Sequence, residues 1–465
     1  MNPAPARRGQ SSAVALVVVV ALAAVAAATA FVLLFPRNRD CEPPLPIDAP
    51  LEPPVHSFAL TASDAKETGE APALAGDPAG NVFLAWASRT GENERSLFVA
   101  GFAHTDVRPV PDLVATSAVF KAVSQSKGKT MAHEVKMAPH LAWADRTMQL
   151  AWTEALPNGA GVRSVVAANL DVGFQFGAPV AFHDGSGSRA TYTALAAGPN
   201  GALLAAWLDN RNGSQQCFAA ERKPGAAAFE TALQVHAGEP GKGVCPCCPT
   251  AALVGPDGTL YVAFRNVSNG FRDICVGVKK PGAAAFEVVP VVPPTWAFNG
   301  CPHDGPALAR VGDTLHVAWM DARTNTQRCY LASAKMSDMK FTARELNADG
   351  PGSQGNPQLF ADAAGTLHAV WEESLGADAP APAAHAGHDH GAAQPVAGAG
   401  GRAIVYRALA NGEFGPARAV APKLGAFQSR PAITGTRGEI VVAWNELDES
   451  GKTVSVTRLH TGAGR

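Results

Sequence analysis

One motif recurs seven times along the chain: an apolar strand, a turn, and a second strand that ends in an aromatic residue. The copies are 71–86, 138–152, 190–207, 249–264, 306–319, 357–371 and 431–444. Their aromatic ends, Trp86, Trp152, Trp207, Phe264, Trp319, Trp371 and Trp444, are separated by 66, 55, 57, 55, 52 and 73 residues. The turns include Asp77-Pro78-Ala79-Gly80, Pro199-Asn200-Gly201, Pro256-Asp257-Gly258 and Ala363-Ala364-Gly365. Such turns close a hairpin because Asn, Asp and Gly reach left-handed backbone conformations at little cost. A β-solenoid or a pair of sandwiches is the alternative, but those repeats are shorter or less regular.

Each copy runs through a polar loop into a third strand, as at 96–102, 217–220, 274–278, 330–334 and 403–408. A fourth strand follows a phenylalanine at 229–235 and 286–292. Four strands in a repeat of about 50 residues make a propeller blade, and blades set radially leave few sheet edges open. The expected fold is therefore all-β, a seven-bladed β-propeller over 55–461, with six blades as the alternative. The last copy supplies three strands over 431–459, and 55–61 reads as an orphan strand. The orphan is expected to complete the last blade and close the ring.

Propeller repeats with an Asp/Gly turn and a strand ending in Trp resemble the sialidase-like superfamily and its bacterial neuraminidase repeats, over residues 55–460. The resemblance implies six blades, Ser-x-Asp-x-Gly-x-Thr-Trp boxes, an arginine triad, a Tyr/Glu nucleophile pair and an acidic proton donor. On that implication, an exo-glycosidase acting on an acidic sugar would grip the sugar carboxylate with Arg211, Arg265 and Arg323 and use Asp304 or Asp321 as its acid. The sequence departs from this pattern. It has no complete box, the nearest stretch being Pro256-Asp257-Gly258-Thr259, and most of its four tyrosines, Tyr192, Tyr261, Tyr330 and Tyr406, fall inside strands. Glycosidases also need paired carboxylates at a defined separation, which no spacing here establishes. The reading favours a binding module over an enzyme.

The departures from the repeat gather on one face. In a propeller, the loops entering each first strand and those joining second to third strands emerge on the same side. The joining loops hold Arg89, Asp209-Asn210-Arg211, Arg265-Asn266 and Asp321-Ala322-Arg323, with Glu154, Glu372 and Glu446. The entering loops hold Met131-Ala132-His133, 137–140, Cys245-Pro246-Cys247-Cys248-Pro249 and Cys301-Pro302-His303-Asp304. The arginines and acids read either as salt bridges between blades or as a funnel for an acidic small ligand, since the guanidinium fork suits oxyanions.

Cys217, Cys275 and Cys329 begin third strands 10, 11 and 10 residues after their aromatic ends. A cysteine there reaches the entering loop of the next blade, so Cys217 with Cys245 and Cys275 with Cys301 are the disulfide candidates. That leaves Cys247 and Cys248, beside His303 and with Met131 or His133 across the pore, as a soft site for copper or zinc. A third disulfide with a spare thiol is the other outcome. A low-complexity insertion at 375–401 adds His385, His388 and His390 around Asp389; such composition forms no packed core and reads as a loose collector of divalent metal. His316 and His368 lie within second strands and read as packing residues.

The amino terminus and the overall charge place the domain. Residues 1–12 carry Arg7 and Arg8, and 13–35 is a run of 23 residues without a charge. About 20 apolar residues cross a bilayer, against ~7–15 in a signal core. A transmembrane anchor is therefore expected, with residues 1–12 in the cytoplasm and the propeller in the periplasm or outside; cleavage near Ala28-Thr29-Ala30 would make it secreted. The linker 36–54 holds seven prolines and reads as an extended spacer. A net charge of −2 with 17% charged residues offers no polyanion footprint and argues against nucleic acid. The leading expectation is a membrane-anchored, extracytoplasmic module that binds metal or docks a protein partner. The glycosidase and a purely structural interaction scaffold are the alternatives.

Overall fold

The computed structural model describes residues 55–59, 70–102, 111–126, 129–156, 161–169, 175–183, 189–350, 352–374, 401–423, 425–436, 438–449 and 451–460. All of them belong to the larger of two compact units, Pro50–Arg465. The expected segments 1–12 and 13–35, the linker 36–54 up to its last residue, and the histidine run at 385–390 lie outside the described residues. Among the described residues no helix is long and apolar enough to cross a membrane.

The described chain is almost entirely strand. In the first sheet, Ala73–Gly76, Val82–Gly91, Glu94–Phe102 and Asp112–Ala118 pair in sequence order, all antiparallel. Four more four-stranded sheets follow, with first strands His140–Ala144, Thr191–Ala197, Ala251–Val254 and Ala307–Val311. Beyond them, Gln354–Ala361, Leu367–Ser374 and Arg402–Ala410 pair in order, with Arg418–Val420 on the outer side. Phe427–Thr436, Glu439–Asp448 and Gly451–His460 form the last group. Its outer position is filled from the other end of the chain, where Val55–Ala59 pairs with Gly451–His460, Phe58 opposite Val454. An added hairpin, Lys121–Ser126 with Lys129–Glu134, separates the first and second sheets and accounts for the longer spacing there.

Side chains alternate along each second strand, and both faces are covered. On Leu203–Asp209, Ala205 and Trp207 pack on the second sheet with Ala151, Val166 and Phe182, while Leu204, Ala206 and Leu208 pack on the fourth with Val262 and Phe264. The same division repeats around the molecule. The last group packs Val441 and Ala443 against Val82, Leu84 and Trp86 of the first sheet, so the succession of layers returns to its start. First strands touch in the same cyclic order, including Ala73–Gly76 with Phe427–Thr436. This is a propeller-like, all-β fold in which strand pairing makes each sheet and apolar layers hold neighbouring sheets together.

His316 and His368 serve packing roles, as expected. His316 Nδ1 lies 2.8 Å from Ser333 Oγ, and burial, helped by the Arg344 charge, pushes its pKa from 6.5 down to about 4. A histidine with a lowered folded pKa supports the fold while neutral, and that support is lost as pH falls from 6.5 towards 4. The wild-type chain should therefore lose stability across that window more steeply than His316→Gln. Urea midpoints measured at several pH values check this; parallel curves would contradict it.

Candidate functional site

Two entering loops, 245–249 and 301–306, carry the site, and backbone contacts fix where they lie. The Val244 amide donates to the Gln215 carbonyl of the third sheet at 2.8 Å, and the Cys245 amide donates to the Arg265 carbonyl of the fourth at 3.1 Å. Gly243, at φ +74, comes so near the preceding sheet that a Cβ would stand 2.0 Å from the Gln215 carbonyl oxygen, so only glycine serves there. The two loops then meet at Gly305, where a Cβ would lie 2.3 Å from the Pro249 carbonyl oxygen. This approach lays His303 and Cys301 against Cys247. His303 is itself at φ +53, and its carbonyl accepts from Arg430 Nη1 at 3.0 Å.

The sulfurs of Cys245, Cys247 and Cys248 form a triangle with sides of 3.6, 3.5 and 3.9 Å. All three residues are buried, at 1%, 5% and 2% exposure. A second set, Cys247 with Cys301 and His303, brings one ligand atom from each within 4.8 Å of the others. Thiolates bound about 2.3 Å from one zinc ion stand ~3.8 Å apart at a tetrahedral angle, and the observed triangle has those dimensions. The thiols therefore already stand where a shared cation would hold them.

Charge around the sulfurs is uneven. Hydrogen bonds from Cys247 and Cys248, with the Arg272 guanidinium alongside, hold the Cys245 thiol well below the usual range. The Cys247 hydrogen bond likewise holds Cys301 down, while burial pushes Cys247 and Cys248 up. Arg272 Nη1 reaches Cys245 Sγ at 3.1 Å, and its Nε is fixed on the Phe298 carbonyl at 2.8 Å. Arg265, 1% exposed, donates to the carbonyls of Asp304, Arg272 and Met320. Burial, then the neighbouring cysteines, pushes the Tyr192 hydroxyl upward.

Several expectations need correction. Neither disulfide candidate is bonded: Cys217, Cys245, Cys275 and Cys301 are free thiols, as are the other described cysteines. The cause is direction. Cys217 and Cys275 point from third strands into the apolar layer between the third and fourth sheets, whereas Cys245 and Cys301 belong to the rim cluster. Cys329, also on a third strand, faces the apolar layer between the fifth sheet and the one that holds Leu367–Ser374. Cys247, Cys248 and His303 do come together, joined by Cys245 and Cys301. The side chains of Met131 and His133, and the whole of His385, His388 and His390, lie outside the described residues.

The arginine triad implied by the resemblance is already engaged. Arg211 pairs with Asp209 at 2.6 Å and lies over the Phe218 ring; Arg323 pairs with Asp321 and lies over Tyr330. Arg265 is the buried carbonyl clamp described above. Asp321 also accepts from Trp319 Nε1 at 2.9 Å, which follows a wider rule. Trp152 bonds Glu154, Trp207 bonds Asp209, Trp371 bonds Glu373 and Trp444 bonds Glu446 in the same way. A Trp-x-acid latch therefore sits at five strand ends, and the sequence states it openly. The pattern is missing at Trp86-Ala87-Ser88 and at Phe264-Arg265-Asn266, the latter in the sheet that bears the cysteine loop. Asp304 is buried, its carboxyl pushed up to about 6 by that burial; Oδ2 accepts from the Asn356 amide and Oδ1 has no hydrogen-bond partner.

The lowered Cys245 pKa rests first on Cys247. Cys247→Ala should move the lowest thiol titration upward, and Arg272→Leu should move it in the same direction by less. Ultraviolet thiolate absorbance against pH reads both; an unchanged lowest titration in Cys247→Ala would contradict the assignment.

No family model and no curated protein matches this sequence. Among solved structures, a protein of unknown function from Dyadobacter fermentans aligns with TM-score 0.46 and 10% identity, over 69% of this chain and 93% of that one. Trypanosoma rangeli sialidase in complex with the inhibitor DANA aligns with TM-score 0.42 and 11% identity, over 74% of this chain and 58% of that one. The K499G mutant of NanB sialidase from Streptococcus pneumoniae aligns with TM-score 0.44 and 9% identity, over 87% of this chain and 70% of that one. The match thus spans little more than half the length of the Trypanosoma enzyme.

Proposed function

We propose that this chain is a seven-bladed, sialidase-like propeller, anchored by 13–35 outside the cytoplasm, that binds a soft transition metal, copper or zinc, at the rim cluster of Cys245, Cys247, Cys248, Cys301 and His303. The observation that carries the reading is the sulfur triangle with sides of 3.5 to 3.9 Å, buried and free of disulfides. Buried thiols serving only as packing gain little by facing one another, since each is a weak donor and a poor acceptor. Sulfur and imidazole donors together select Cu(I) or Zn(II) over hard cations. Preformed loops lower the ordering cost of binding, and Gly243 and Gly305 supply that preformation. The cyclic packing of sheets supports the seven-bladed count, with the Val55–Ala59 strand completing the last blade.

The reading is tested on the purified full chain by competition with chromophoric chelators for Cu(I) and Zn(II). Replacing Cys247 and Cys248 together by serine should weaken the tightest binding by on the order of 100-fold or more, with the far-ultraviolet spectrum unchanged. Equal affinity in the wild type and the double variant would overturn it. Deleting 383–391 should remove weaker metal equivalents only and leave the thermal midpoint in place, as a collector loop outside the packed core requires; loss of the tightest equivalent would contradict that division.

A further inference from the structure

The two ligand sets share one atom. Cys245, Cys247 and Cys248 form the first set; Cys247, Cys301 and His303 form the second. A single cation drawn to either set leaves the remaining donors of the other set around the same sulfur. We propose that the rim holds two monovalent copper ions bridged by Cys247 Sγ, one in each set. This rests on the soft-metal reading above and specifies its stoichiometry and its metal.

Coordination number and charge both favour Cu(I). Each set offers three donors, enough for a three-coordinate Cu(I), whereas structural zinc takes four. A thiolate keeps lone pairs after binding one soft cation and can bridge a second, and thiolate is a preferred donor for Cu(I). Two Cu(I) ions among the thiolates of Cys245, Cys247, Cys248 and Cys301 leave an anionic cluster. Two guanidiniums stand by as counter-charge: Arg272 on Cys245 Sγ at 3.1 Å, and the buried Arg265, which feels Cys248 and Cys245. Two zinc ions would neutralise the thiolates and leave both arginines beside an uncharged cluster. The thiol protons displaced on loading pass to solvent, and copper arrives and stays as Cu(I), so no electron changes hands.

The geometry also explains Gly305. Its approach to the Pro249 carbonyl is what carries the second set to the first, because without it the 301–306 loop would stand off by at least the width of a methyl group. His303, with its carbonyl tied to Arg430, supplies the imidazole that completes the second set with Cys247 and Cys301.

The experiment uses the full chain carrying His385→Ala, His388→Ala and His390→Ala, so that the histidine run adds no equivalents. Anaerobic Cu(I) titration against a bicinchoninate competitor, with cluster luminescence as a second readout, should give two tight equivalents per chain. Cys301→Ser and His303→Asn should each lose one equivalent and the luminescence while keeping the other. Cys247→Ser should lose the bridged pair. One equivalent in the parent, unchanged by Cys301→Ser, would overturn the binuclear proposal and leave a mononuclear metal site standing. One tight Zn(II) that excludes Cu(I) would overturn it as well. No uptake of either metal would instead refute the metal reading on which it rests. Circular dichroism identifies an unfolded variant, and the His303→Asn result then decides for the second set.

Discussion

Every second strand in this molecule is apolar on both faces, so no sheet can satisfy its core alone. A half-covered sheet would leave Trp207, Trp319, Trp371 or Trp444, all 0% exposed, open to water on one side. Burying a large side chain contributes about 1.5–3 kcal/mol, and dozens of such residues line the layers. Sheets must then be flanked on both sides, and a finite chain meets that condition only by returning to its beginning. The pairing of Val55–Ala59 with Gly451–His460 is the covalently cheapest closure, since it joins the first and last strands without extra chain. The Trp-x-acid latch follows from the same demand: a buried indole N–H needs a partner, and an acid two residues on provides one at the same strand end.

Closure in turn makes the rim a place where loops from different sheets hold fixed relative positions. The cysteine loop hangs between the Gln215 and Arg265 carbonyls, one from each neighbouring sheet. The next loop reaches it through Gly305. Five soft donors from these two loops therefore lie together without a disulfide among them, and Arg272 and Arg265 supply positive charge beside them. The latch is missing at Trp86-Ala87-Ser88 and at Phe264-Arg265-Asn266, and in the second of these Arg265, one residue after the aromatic, is the buried guanidinium beside the cysteine loop.

Much of this was legible in the residues. The repeat foretold the strands, the pairing of the 55–61 stretch with the last copy, seen over Val55–Ala59, and the third-strand placement of Cys217, Cys275 and Cys329. It also set Cys247, Cys248 and His303 on one rim. The expected disulfides are absent because equivalence along a strand fixes a position but not which face the side chain takes, and a shift of one residue in a strand reverses it; Cys217 and Cys275 face the apolar layer. Arg272 could not be found from sequence, since its contact with Cys245 depends on a loop fold set by the Phe298 carbonyl. The Trp-x-acid spacing is legible in the sequence, and at Asp209 and Asp321 the latch acids also hold the arginines Arg211 and Arg323. The hairpin at 121–134 breaks the period and so left no repeat signal of its own.

The central claim is that metal at this rim is held by sulfur. X-ray absorption at the copper or zinc edge of the loaded full chain tests it most directly. The account predicts a first shell dominated by sulfur at about 2.3 Å, collapsing when Cys247 and Cys248 are both replaced by serine. A shell of nitrogen and oxygen alone, unaffected by that replacement, would contradict it.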